Sequence, residues 1–192
     1  LAPLMDARGY TEVRAELARA PRRWLVSGAA GFIGIARTQT VREWPLASIP
    51  LFFAVQQFIE GGLWLTLPVA PGSAASACLT QTYLSFALIF WPVFSPWAVL
   101  LIEPNDTRRR WIGLCLAVGV SIAAYFLWLA VALPQSATIV GGHIEYETSS
   151  DLPFVTIGLY VFATTFGLLL SSHRAIVLVG LIILAGYVTT FY

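Results

Sequence analysis

Residues 45–67 read PLASIPLFFAVQQFIEGGLWLTL, and this stretch decides the fold class. It continues for more than 20 residues with one ionisable group, Glu60. A helix needs about 20 apolar residues to cross the roughly 30 Å hydrocarbon layer. In lipid only a helix or a closed barrel satisfies its own backbone, so the stretch reads as a transmembrane helix. Four others resemble it, at 78–102, 111–133, 154–171 and 175–192. A sixth, 24–36, is only about 20 Å long as a helix, the length of a re-entrant segment or a signal-peptide core. It is expected to stay in the chain rather than be cleaved after Ala36. The expectation is an all-α, polytopic transmembrane helix bundle of five or six spans over residues 24–192, preceded by a tail at 1–23.

The composition agrees with this reading. The 192 residues are 58% hydrophobic and 11% charged, against a soluble norm of roughly 45–50% and about 25%. The formal charge of +1 lacks the basic surplus that nucleic-acid binding needs, so no nucleic-acid partner is expected. There is no lysine. Retinal or pyridoxal Schiff bases, the phosphate-loop lysine and the Tyr-x-x-x-Lys pair of short-chain dehydrogenases are thereby excluded. Cys78 and Cys115 lie inside apolar runs and read as small buried hydrophobes rather than a disulfide or metal pair.

The linkers alternate in charge. Arg37 and Arg42 lie in the first, Arg108, Arg109 and Arg110 in the third and Arg174 in the fifth, with no arginine in the second or fourth. The positive-inside rule then places the loops at 37–44, 103–110 and 171–174 in the cytoplasm of a bacterial inner membrane. Segments 68–77 and 134–153 and the C-terminus face outward. The arginines of the tail, Arg8 to Arg23, conflict with this order if 24–36 spans. Residues 11–20 read either as a short interfacial helix capped by Thr11 and ended by Pro21, or as a loosely ordered basic tail. Trp24, Trp44, Trp64 and Trp111 stand near span ends, where indoles favour the headgroup level.

Two resemblances point in different directions. Arg22 to Gly34, RRWLVSGAAGFIG, resembles the opening of a nucleotide-sugar epimerase, with Gly28, Gly31 and Gly34 in its glycine spacing. That motif needs a βαβ unit and an acid about 20 residues on, and neither follows, so a dinucleotide cofactor is not expected. Glycines at this spacing in an apolar helix instead permit close helix packing. Most of residues 28–192 is similar to an uncharacterised bacterial integral-membrane family, number 6629 among the domains of unknown function. The matching residues are the run from Pro45 to Phe53, Gln56 to Trp64, Trp91-Pro92 with Pro96, Glu103, and Gly142-His143-Ile144 with Tyr146. The resemblance implies a multi-pass bundle and brings no activity with it.

Chemistry concentrates at two places in the predicted spans. Gln56, Glu60 and Trp64 follow one helical stripe, with Gln57 beside them. A mid-membrane carboxylate costs about 2.5–3.5 kcal/mol on insertion scales. Glu60 is therefore expected to be protonated, or held by hydrogen bonds from Gln56 and another helix. Either it titrates or contacts a ligand in an internal cavity, or it clamps helices together. The second place is Trp91-Pro92-Val93-Phe94-Ser95-Pro96-Trp97, where two prolines free backbone carbonyls, making either a packing kink or a pocket facing Glu60.

Outside the spans, His143, Glu145 and Glu147 alternate as on one face of a strand. They are weak candidates to begin a metal site, and a solvated polar face is the alternative. His173 lies on the opposite side of the membrane, which excludes a bis-histidine haem with His143. No serine–histidine–acid set, paired-carboxylate site or phosphate loop is present. The expected function is a non-enzymatic binding or accessory subunit of a membrane complex, contacting lipid and protein partners. The alternatives are a proton-linked small-solute transporter using Glu60, hinged at Pro92 and Pro96, and a membrane-embedded lipid or quinone enzyme.

Overall fold

The computed structural model describes residues 25–148 and 154–191. They form six helices and one hairpin: α1 Leu25–Ala36, α2 Trp44–Thr66, α3 Ala74–Ile102, α4 Asp106–Ala132, β1 Gln135–Val140, β2 His143–Thr148, α5 Phe154–Leu169 and α6 Arg174–Phe191. The chain is mainly helical, and three stretches, Val41–Thr66, α3 and α4, are long and apolar enough to cross a membrane. α1, α5 and α6 are shorter apolar helices. The tail arginines, Trp24 and the 11–20 segment lie outside the described residues.

The all-α expectation needs one addition. The loop after α4 holds an antiparallel hairpin in which Val140 pairs with His143 and Gln135 with Thr148. Its two-residue turn is Gly141-Gly142, both at positive φ (56° and 81°). Such turns match the right-handed twist of paired strands, and only glycine takes those angles without strain.

Two compact units divide the chain. Within the described residues, the first draws on 25–37, 48–84 and 133–148, and the second on 38–47, 85–132 and 154–191. In the first, Leu63, Leu67 and Ala137 are buried, with Leu79, Tyr83, Ile139, Ile144 and Tyr146 packed around them. The strand period places these hairpin residues inward and His143, Glu145 and Glu147 outward, all exposed. In the same unit α1 lies close to α2. A Cβ on Gly31 would come within 2.7 Å of the Leu51 nitrogen, and one on Gly28 would sit 3.7 Å from the Ala54 Cβ. The segment that resembles a nucleotide-binding turn is thus a helix whose glycines permit close packing.

In the second unit Val99, Ile112, Leu168 and Ile176 make the core, with Leu46, Leu100, Ile102, Leu170 and Ile183 against it. Two helices here widen into π turns, Ser85–Phe90 in α3 and Phe162–Phe166 in α5. The α3 turn immediately precedes Trp91 and Pro92, so the prolines do not end the helix; it widens and continues to Ile102.

Candidate functional site

The first unit gathers the polar residues singled out on α2. Gln57 Nε2 donates to Glu60 Oε2 at 2.8 Å, a bond to Glu60 from its own helix, three residues back. Gln56 is buried and interacts with the Tyr83 hydroxyl. Tyr83 in turn stacks on Tyr146 of β2, with ring centroids 4.7 Å apart and planes 3° from parallel. The charge of Glu60 acts on both phenols. Burial comes first, with the phenol and carboxylate charges beside it, in pushing the Tyr146 hydroxyl pKa well above the ordinary phenol value. Its oxygen is buried and, among the described residues, has no partner at hydrogen-bond distance and angle, although the Tyr83 hydroxyl acts on it. A buried hydroxyl with no partner costs about 1–3 kcal/mol, which makes this oxygen the unsatisfied point of the cluster. Tyr83 was not singled out in the sequence, and Tyr146 entered only through the family resemblance. The inward register of the hairpin carries Tyr146 there, and no local pattern in the sequence announces the stack.

Trp64, placed on the Glu60 stripe and at a span end, is 7% exposed and belongs to the packed interior of its unit. Trp44 and Trp111, by contrast, are 54% and 57% exposed. Cys115 is buried, but Cys78 is exposed, correcting the expectation of two buried cysteines. His143, Glu145 and Glu147 share the outer face of β2, where Ser136 Oγ donates to Glu147 Oε2 at 3.3 Å. Among the described residues no group of three or more His, Cys, Asp or Glu gathers as metal ligands would.

Trp91, Pro92, Pro96 and Trp97 fall in the second unit, whereas Glu60 falls in the first. Trp91, Pro92 and Pro96 are buried and Trp97 is 40% exposed. The carbonyls freed around the prolines meet protein groups. The Tyr160 hydroxyl donates to the Ala87 carbonyl at 2.6 Å, five residues before Pro92. In return Ser95 Oγ donates to the Thr164 carbonyl at 3.1 Å, within the π turn of α5. The Pro92 carbonyl, whose α-helical partner would be the missing amide of Pro96, lies against Gly119; a Cβ there would sit 1.9 Å from that oxygen. The proline segment is therefore packed against α4 at Gly119 and bonded to α5 through Tyr160 and Thr164.

The second unit holds a feature of a different kind. Glu103, just past α3, is 2% exposed. Its carboxylate accepts from the Ser172 hydroxyl at 2.5 Å, the Ser172 amide at 2.8 Å, the Asn105 amide at 3.2 Å and Ser171 Oγ at 3.4 Å. Burial would raise its pKa, but the Ser172 hydroxyl and amide, the Asn105 amide and the Arg108 charge outweigh it and hold the carboxyl below the usual glutamate value. Arg108 Nη1 donates to the Ser171 carbonyl at 2.9 Å, tying the same two turns. Beside this clamp opens a cavity of about 670 Å³ lined by residues of all three arginine-bearing turns, including Arg42, Arg109 and His173. In the sequence Glu103 stood out only through the family resemblance; its serine partners lie 68 and 69 residues away.

The architecture defines a class, a mainly helical and strongly apolar chain with, among the described residues, three helices of membrane-crossing length. The family model of DUF6629, a family of unknown function, matches residues 23–191, and the chain belongs to that family. No curated protein and no solved structure matches it.

Proposed function

We propose that this is a multi-pass protein of a bacterial cytoplasmic membrane that works by binding, as an accessory subunit of a membrane complex. The observation that carries the reading is where its apolar groups lie. Leu114, Val120, Leu127, Trp128 and Val131 on α4, and Leu178, Val179, Leu181 and Ile182 on α6, are all about half exposed or more. So many large apolar side chains left open on two helices call for lipid or a partner chain. The arginine-bearing turns face the cytoplasm and the hairpin faces outward. In a chain whose own cysteines are replaced, Ser136→Cys is expected to label with an impermeant maleimide in intact spheroplasts and Arg110→Cys only after lysis. The reverse pattern refutes the orientation. Membranes solubilised gently should yield the chain in a defined complex on native electrophoresis; migration as the bare chain under every gentle detergent refutes the accessory role.

One observation favours a second reading, proton-linked movement of a small solute. The unsatisfied Tyr146 oxygen lies within electrostatic reach of Glu60. In proteoliposomes carrying an internal pH dye, that reading expects solute-dependent acidification that Glu60→Gln abolishes. Flux unchanged by the substitution removes it.

A further inference from the structure

We infer that the cavity at the arginine-bearing turns is a seat for the phosphate of an acidic phospholipid, an inference that rests on the membrane reading above. The cavity has two chemically distinct walls. Leu46, Leu101, Ile102 and Ile176 make an apolar side, and Arg42, Arg109 and His173, all exposed, make a polar one. Among the described residues, neither the Arg42 nor the Arg109 guanidinium has a hydrogen bond or ion pair.

The carboxylates in the same cavity are already engaged. Glu43 accepts from the Gln39 amide and the Thr40 hydroxyl, each at 3.0 Å. Glu103 is held by Ser172 and Asn105. With both carboxylates turned to amide and hydroxyl donors, the two guanidinia keep their donors open, and a guanidinium fork matches phosphate oxygens two at a time. Trp44 and Trp111, exposed near the starts of α2 and α4, mark this end as the depth of lipid headgroups. A free phosphate would use the polar wall alone. A phospholipid uses both, its acyl chains lying along the leucine and isoleucine wall while the headgroup meets the arginines.

The test is native mass spectrometry of the full chain in detergent, mixed with equal amounts of phosphatidylglycerol and phosphatidylcholine. The expected result is one phosphatidylglycerol retained per chain, a preference that falls at least fivefold in R42Q/R109Q. Arg110, outside the cavity, supplies the control: R110Q should retain lipid like the wild type. Thermal unfolding of each variant verifies the fold. Because both arginines are exposed, the single variants R42Q and R109Q stand in if the double variant unfolds. Equal retention of both lipids, or retention unchanged by R42Q/R109Q, overturns the inference. So does displacement of the lipid by millimolar glycerol 3-phosphate, which would identify a free-phosphate site. Alkaline carbonate extraction separates the two failures. A chain that stays with the membrane pellet but retains no lipid sinks only this site, whereas a chain released to the supernatant sinks the membrane reading itself.

Discussion

Replacing Gly119 by alanine is expected to destabilise the second unit severely, and the reason is one distance. The added Cβ would sit 1.9 Å from the Pro92 carbonyl oxygen and 2.8 Å from its carbon, where real Cβ contacts stay beyond 3.0 Å. The obstacle is backbone on both sides, so α3 and α4 must part by about 1 Å, since no side-chain rotation relieves it. Overpacking of this kind costs about 1–3 kcal/mol and sometimes more. Parting the helices also disturbs the Tyr160–Ala87 and Ser95–Thr164 bonds on the same stretch of α3. Alanine returns about 1 kcal/mol of helix propensity, leaving a net loss of up to about 2 kcal/mol, near the upper end because backbone blocks the way on both sides. Gly113 supplies the control because it lies in the same helix and a Cβ there meets nothing within 4 Å. Gly113→Ala should therefore raise stability by up to about 1 kcal/mol. Thermal unfolding in one detergent, followed by tryptophan fluorescence, should move the two midpoints in opposite directions. If Gly119→Ala unfolds at or above the wild-type midpoint, the close approach is wrong and so is the packing built on it.

Other substitutions test other parts of the molecule. Tyr160→Phe removes the donor to the Ala87 carbonyl and should cost about 1 kcal/mol by thermal unfolding, with no change in expression. Glu103 has a folded pKa below the ordinary glutamate value, so its contribution is complete above about pH 4.3 and is lost as pH falls through the depressed value. Unfolding midpoints taken from pH 7 to pH 3 should fall at the acid end, and Glu103→Gln should flatten that limb while lowering stability at pH 7 by about 1.5–3 kcal/mol. Tyr146→Phe removes a buried hydroxyl that has no partner, so it should be neutral or slightly stabilising in the purified chain. A loss above about 1 kcal/mol would mean that a bound molecule completes that oxygen.

Helix limits were legible because hydropathy is a sum over many residues. The run read as 45–67 is Trp44–Thr66, that read as 175–192 is Arg174–Phe191, and 24–36 is Leu25–Ala36. The strand alternation of His143, Glu145 and Glu147 was legible for the same reason, being a local period. The division into two units was not, since it depends on which helices touch. Nor was the fate of Trp64, buried although its position suggested an interface. A stripe on one helix names a face without saying what covers it. Glu103 illustrates the limit most clearly. An acid between an apolar run and three arginines suggests an ion pair, yet its closest partners are serines of a turn nearly 70 residues away.

The proline segment shows why the chain holds its shape where the sequence alone suggests a break. Each proline removes a donor that a carbonyl one turn back would have used. In an apolar interior an abandoned carbonyl is costly, so its satisfaction has to come from a neighbour. α3 and α5 exchange such groups: α5 lends the Tyr160 hydroxyl to the π turn of α3, and α3 lends the Ser95 hydroxyl to the π turn of α5. Gly119 of α4 lets the Pro92 carbonyl approach without a side chain between. Each π turn thus receives a hydroxyl from a different helix, which ties α3 and α5 to one another. A hinge at Pro92 and Pro96 would have to break these contacts together, about 1 kcal/mol for each hydroxyl bond before any packing is lost. The same residues that suggested mobility in the sequence are, in the folded second unit, among its most fully buried.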